Sequence, residues 1–437
     1  MPFKIVVFQN RYLRPGQTRV DAILQVTAPE DIVAKAAQLV VGFIVDKSGS
    51  MSGDRIGAVK SAVERSIAML DPDAWFFVVA FDSTAQVVVR ESKATLPRKL
   101  AAAQALSSLA AAGGTAMSTG LSAARQIFAR APDAIRQAVF LTDGKNESEQ
   151  PDHVAAELER CEGLFQCDCW GVGTDWRVGE VQEISQKLLG KASLIQDSAG
   201  IDAAFRAAME KASQKALKDV ALRLWTPQGA EIVFLKQVNP TIEELTNRGR
   251  VVSAQVKEYR TGAWSGGERR DFHVAVEVLP GDVNEEVLAA RPSVAYLAPD
   301  TSGGWVAHED KPPEGRLFAS WTAEGTLSAR IDDRVAHYIG QDELASAIKD
   351  GLEQREKGNL AAATQFLGRA VKIAHASKNL AMTQRLARVV EVVDPSQGTV
   401  RLKKDVKKAA TMELELESAT TKHIQGDGST GDAGSGQ

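Results

Sequence analysis

Three short stretches of this chain place oxygen-bearing side chains where chemistry could be built. In the first, Phe43-Ile44-Val45-Asp46-Lys47-Ser48-Gly49-Ser50-Met51, one carboxylate and two hydroxyls follow an apolar run. Asp46, Ser48 and Ser50 alternate, so a loop curling away from a strand can aim all three at one point, and Gly49 permits the tight backbone. The second, Gly113-Gly114-Thr115, precedes a helix-period segment; the third, Val139-Phe140-Leu141-Thr142-Asp143-Gly144, is an apolar strand ending in Asp-Gly. In a doubly wound sheet the carboxyl ends of the strands form the ligand crevice, which is where each stretch would deliver its polar groups. A lone D-x-S-x-S string carries little weight because Asp and Ser are common; the three together carry much more.

In order and position on the sheet, the three resemble the metal-ion-dependent adhesion site of the von Willebrand factor type A (VWA) family, in its bacterial multidomain form. The family's D-x-S-x-S falls on Asp46, Ser48 and Ser50, its separate threonine on Thr115 and its T-D-G aspartate on Asp143, without substitution. The resemblance covers roughly residues 37–215. It implies that Ser48, Ser50 and Thr115 coordinate a metal directly while Asp46 and Asp143 act through bound waters or hydrogen bonds. Hard oxygen donors in an incomplete shell suit Mg²⁺, with Mn²⁺ or Ca²⁺ as substitutes. Neutral hydroxyl ligands leave the ion electron-poor, so it should favour a partner's Asp or Glu in its open position.

Enzymatic readings fare worse. A haloacid-dehalogenase-type phosphotransferase also begins with an aspartate after its first strand but needs a second two residues later, where Ser48 stands. Lys145 could contact phosphate, but as a loop charge it is expected to be solvated. No Gly-x-x-x-x-Gly-Lys-Ser/Thr cradle occurs, and the 6 histidines are scattered without a local triad. Asp54 is expected to cap or complement a helix start. Trp176 is placed either at the site rim, as a partner contact, or in a packed loop.

The elements that must hold these groups follow from periodicity. Between Gln38 and Ile201 apolar runs alternate with helix-period segments, the signature of a Rossmann-like, doubly wound, mainly parallel α/β sheet. Strands are expected at residues 39–45, 76–81, 86–90, 138–142, 167–172 and 193–196, and helices at 97–109, 117–130, 152–163, 178–189 and 201–217. One more helix follows the first strand, with Ile56, Val59, Val63, Ile67 and Leu70 on one face. From Val220 the period becomes two and predicts an antiparallel β-sandwich. Val20, Ala22, Leu24 and Val26 share that alternation, so the N-terminal strands are expected to join it. From Asp342 to Val393 the period is helical again, as a tetratricopeptide-like hairpin and a third helix. The resulting boundaries are 1–36 for N-terminal strands joining the sandwich, 37–216 for the VWA domain, 217–335 for the sandwich, 340–394 for the helical region and 395–437 for a charged, largely disordered tail.

With 52 Lys and Arg against 56 Asp and Glu, a net charge of -4, a general nucleic-acid binder is not expected. No run is apolar for a membrane span and no signal-peptide pattern opens the chain, which places it in the cytoplasm. Cys161, Cys167 and Cys169 lack a matching cluster and are expected to be core thiols; a zinc site using His153 is the less favoured reading. The expected function is a non-enzymatic, metal-dependent protein-interaction scaffold. Alternatives are a regulatory or adaptor subunit of a chelatase- or chaperone-like ATPase complex, and a kinase-linked signalling adaptor whose Thr411, Ser418, Thr420 and Thr421 are phosphorylated in a loose tail and read by a phosphopeptide-binding protein.

Overall fold

The run Leu-Val-Val-Gly-Phe-Ile-Val-Asp forms the strand Leu39–Asp46, apolar at every position but the last. A strand covered by helices on both faces has to read this way. The computed structural model describes residues 2–30, 38–195, 198–299 and 305–421. Across the six-stranded α/β sheet the strands lie in the order Ala85–Lys93, Trp75–Phe81, Leu39–Asp46, Ile135–Thr142, Gln166–Val172 and Ala192–Ile195. All neighbours are parallel except the edge strand Ala85–Lys93, which runs antiparallel to Trp75–Phe81. One face buries Val59, Val63 and Ile67 of the helix Asp54–Met69 with Leu106 and Phe205. The other buries Leu121, Phe128, Leu158 and Ile184 from the helices Met117–Phe128, Pro151–Cys161 and Val178–Lys187.

Leu39–Asp46 has the next strand in sequence on one side and Ile135–Thr142 on the other. The direction of winding reverses between them, which opens a crevice at their carboxyl ends. Asp46 ends the first of these strands and Asp143 directly follows the second.

The α/β module emerges from a β-sandwich. Arg19–Thr27 pairs antiparallel with Arg269–Glu277 from Arg19 opposite Glu277 to Thr27 opposite Arg269, so the chain before the module completes a sheet built mostly from chain after it. That five-stranded sheet faces a seven-stranded one centred on Lys215–Trp225 and Glu286–Pro299. Their shared core includes Leu24, Leu222, Leu224, Trp264, Phe272 and Trp321. The helix expected over 201–217 ends at Ser213, and Lys215 already begins a strand. Lys215, Ala216, Leu217 and Lys218 are all buried, so the strand opens without the alternation by which it could be told from the preceding helix.

Two expectations for the C-terminal part are corrected. The first helix of the hairpin is Asp333–Glu356, starting well before Asp342, with the Asp332 side chain accepting the Arg334 and Val335 backbone N–H groups. Its front end docks on the sandwich through Val335 and Tyr338, packed with Ile23 and Val238, and the Tyr338 hydroxyl donates to Asp271 at 2.5 Å. After the helices Leu360–Ala376 and Leu380–Val389, the chain forms a strand pair, Val390–Asp394 with Thr399–Leu402, instead of continuing as helix to 393.

The segment expected as a disordered tail is folded as far as residue 421, and residues 422–437 lie outside the described residues. Lys408–Ser418 is a helix that works on two sides. Met412 and Leu416 enter the core of the α/β module, and Leu414 enters that of the helical region. Glu413 pairs with Arg388 at 2.9 Å. Thr421 is buried and donates its hydroxyl to the Val238 carbonyl at 2.5 Å, so it is not open to a kinase in the folded chain. Among the described residues no helix is long and apolar enough to cross a membrane. Leu414→Ala is expected to lower the unfolding free energy by about 2–5 kcal/mol, measured by urea denaturation of the full chain; an unchanged midpoint would show the last helix to be a loose appendage.

Candidate metal centre

Asp46 is fully buried at the end of its strand. Its Oδ1 accepts the Ser48 backbone N–H at 2.8 Å, which curls the chain, and its Oδ2 accepts the Thr142 hydroxyl of the adjacent strand at 2.6 Å. The curl is held to the second stretch by two backbone bonds: Gly49 N–H to the Gly113 carbonyl at 2.9 Å and Ala112 N–H to the Lys47 carbonyl at 2.8 Å. Lys47 turns outward and pairs with Asp82. Although burial opposes it, the Lys47 ammonium and the Thr84 N–H hold the Asp82 carboxyl below its ordinary range. Thr115 is fixed from the other side, its N–H donating to Ser148 Oγ at 2.8 Å and its carbonyl accepting the Ser148 N–H at 3.1 Å.

All five oxygen-bearing residues come to one place. Ser48 Oγ and Ser50 Oγ are 3.0 Å apart, and the Ser50 hydroxyl donates to Asp143 Oδ1 at 2.8 Å. Gly144 locates the centre of the group: a Cβ there would sit 3.2 Å from Ser50 Oγ, 3.3 Å from Thr115 Oγ1 and 3.6 Å from Asp46 Oδ2. Oxygens from the first and second stretches thus crowd against the backbone of the third, and a side chain at Gly144 would press on the Ser50 and Thr115 hydroxyls. Burial, helped by the charge of Asp143, pushes the Asp46 carboxyl above its ordinary range against the hydrogen bonds from Thr142 and Ser48.

The set suits a small hard cation. Adjacent ligands in a near-octahedral Mg²⁺ shell, each about 2.1 Å from the ion, lie about 3.0 Å apart, which is the Ser48–Ser50 separation. Among the described residues no group of three His, Cys, Asp or Glu side chains could hold a metal, so an ion here would rest on the hydroxyls of Ser48, Ser50 and Thr115. Asp46 and Asp143 would supply the charge.

A family model for the von Willebrand factor type A domain matches residues 41–145, and one for the von Willebrand factor type A C-terminal domain matches residues 372–418. A solved structure, von Willebrand factor type A from Catenulispora acidiphila, is 38% identical, with 97% of each chain covered and a TM-score of 0.87. The chain belongs to the von Willebrand factor type A family. The ArnB paralog VWA2 from Sulfolobus acidocaldarius shares the fold at 14% identity, with a TM-score of 0.58 over 96% of this chain and 98% of that one. An uncharacterized Synechocystis protein is 28% identical over 250 residues, 54% of this chain; the match spans 58% of that relative's own length.

The VWA fold also decides the residues left open. Trp176 is buried, its indole N–H donating to the Gly173 carbonyl at 3.0 Å and its ring filling the space that Gly171 leaves beside the strand. It is a packed loop residue, not a rim contact. Asp54 occupies the first turn of its helix, where its charge complements the dipole, while Gly53 is the cap residue. The three cysteines are buried and unbridged; burial raises the thiol pKa of Cys161 and Cys167, which keeps both protonated.

Sequence reasoning missed Arg55. Its guanidinium donates to Asp143 Oδ2 at 2.8 Å and to Asp175 Oδ2 at 2.6 Å. The signal that could have found it is its position: a cation in the first turn of a helix opposes the dipole and needs an acidic partner to hold it there. Because an added Cβ would press on the Ser50 and Thr115 hydroxyls, Gly144→Ala is expected to weaken Mn²⁺ uptake by the full chain about tenfold. Equal uptake, by titration calorimetry, would place the ion elsewhere.

Proposed function

We propose that this VWA chain is a protein-interaction scaffold whose partner docks an Asp or Glu carboxylate onto a Mg²⁺ ion held by Ser48, Ser50 and Thr115. In this reading Asp46 and Asp143 orient the hydroxyls and balance the ion's charge. The bound ion supplies a Lewis-acidic point with a position left for a carboxylate oxygen. Membership of a family of interaction modules supports the interaction role in general terms. The observation that carries the finer reading is the convergence of the oxygens: Ser48 and Ser50 hydroxyls 3.0 Å apart, Ser50 on Asp143, and Ser50, Thr115 and Asp46 oxygens all close against Gly144.

Charge at the mouth favours an acidic partner. Arg55, with the fields of Lys408 and Lys145 behind it, holds the rim carboxyl of Asp175 below its ordinary range, against the small effect of burial. Arg55, Lys408 and Lys145 thus set positive charge beside the acids of the mouth, where a partner's carboxylate would approach a bound ion. The remaining domains mount the site. The module is tied to the sandwich at both chain ends and to the helical region by the helix Lys408–Ser418.

The reading is tested on the full chain by Mn²⁺ titration, and by retention of native-cell proteins on immobilised chain in Mg²⁺ and in EDTA. Asp46→Ala is expected to weaken Mn²⁺ binding by about 10–100-fold, and the partner retained in Mg²⁺ should wash off in EDTA and fail to bind the variant. A partner held equally in all three conditions would remove the metal bridge from the account.

A further inference from the structure

Arg55 lies in the first turn of the helix Asp54–Met69, where backbone N–H groups and the helix dipole disfavour a cation. It is held there by two acids of different kinds. Asp143 is fully buried and Asp175 is exposed, with side-chain accessibilities of 0% and 57% against 39% for Arg55. The guanidinium therefore spans from the floor of the oxygen cradle to its mouth, one nitrogen at each level.

Both oxygens of Asp143 are engaged. Ser50 takes Oδ1 and Arg55 takes Oδ2. Of the two carboxylates that charge the cradle, Asp46 and Asp143, one already has a counter-cation, which it shares with Asp175. A divalent ion drawn to this place would feel less than the two negative charges of Asp46 and Asp143, and its attraction falls accordingly. Asp175 gives Arg55 a second seat, so the guanidinium can keep one ion pair at the mouth when Asp143 turns its charge to another cation.

We propose that Arg55 is a built-in competitor of the metal ion, a counter-cation on Asp143 that holds the resting divalent-ion affinity of this site down, with Asp175 as its alternative seat. The inference rests on the reading that the cradle holds a divalent ion. It opposes a plainer role in which Arg55 only braces Asp143 in the orientation the ion needs. The two roles predict opposite signs: loss of a competitor tightens ion binding, whereas loss of a brace weakens it.

The test is Mn²⁺ binding to the full chain, followed by electron paramagnetic resonance of the free ion, with Asp46→Ala marking which uptake belongs to the site. Arg55→Gln is expected to bind Mn²⁺ about tenfold more tightly than wild type, and Arg55→Lys, which keeps the charge, to stay near wild type. Asp175→Asn should weaken binding severalfold in the wild-type background, because Arg55 then rests on Asp143 alone, and much less in the Arg55→Gln background. Circular dichroism confirms that the variants fold. Asp46-dependent uptake by Arg55→Gln alone, with wild type too weak to detect, supports the competitor role. If wild type shows Asp46-dependent uptake and Arg55→Gln binds equally or more weakly, the competitor role is overturned and the metal reading stands. If neither chain takes up Mn²⁺ in an Asp46-dependent way, the metal reading falls and the inference with it.

Discussion

The site depends on keeping two carboxylates buried side by side without a compensating side chain for each. Asp46 ends one central strand and Asp143 follows its neighbour, and the pairing of the two strands up to Val45 opposite Leu141 brings their ends together. Burial of such a pair is unfavourable unless the oxygens are hydrogen-bonded and the charge is balanced. The structure meets the first requirement with local donors: the Thr142 hydroxyl, the Ser48 N–H and the Ser50 hydroxyl. It meets the second only in part, through Arg55. A crevice that concentrates negative charge and lines it with hydroxyl lone pairs is arranged to attract a cation, and the proposed function follows from that imbalance.

The rest of the chain reads as support for this crevice. Because Arg19–Thr27 and Lys215–Trp225 belong to the two facing sheets of one sandwich, the α/β module is anchored at both of its ends in a single core. The helix Lys408–Ser418 adds a third attachment at the far edge of the module's sheet, where Met412 and Leu416 meet its core while Leu414 holds the helical region. The same helix brings Lys408 near enough to bias Asp175. Domains that look independent in sequence therefore share surfaces, and one of those surfaces reaches the mouth of the site.

What was legible in the sequence was whatever is local. Asp46, Ser48 and Ser50 lie within five residues, and Thr115 and Asp143 each stand beside glycines at a recognisable strand or helix boundary, so their convergence could be expected from strand order alone. Arg55 was not legible in that way, because the acids that define it lie 88 and 120 residues away. The Met-Glu-Leu-Glu-Leu-Glu stretch at 412–417 alternates with a period of two and carries charge at every second place, which reads as a solvated segment. It becomes a helix because apolar surface awaits it on both sides, and residues two apart on a helix point in nearly opposite directions. Tyr338 shows the same limit: its helix is seated on the sandwich by a hydroxyl contact to Asp271, a residue that no window of local sequence contains.

The central claim, that Ser48, Ser50 and Thr115 form the cation-binding face of this crevice, is tested most directly by anomalous diffraction at the manganese edge from crystals of the full chain grown with Mn²⁺. The account predicts a peak about 2.1–2.2 Å from the three hydroxyl oxygens, with Asp46 and Asp143 one hydrogen bond or water further out. A peak bound directly by carboxylates elsewhere on the chain, with only solvent beside the three hydroxyls, would contradict it.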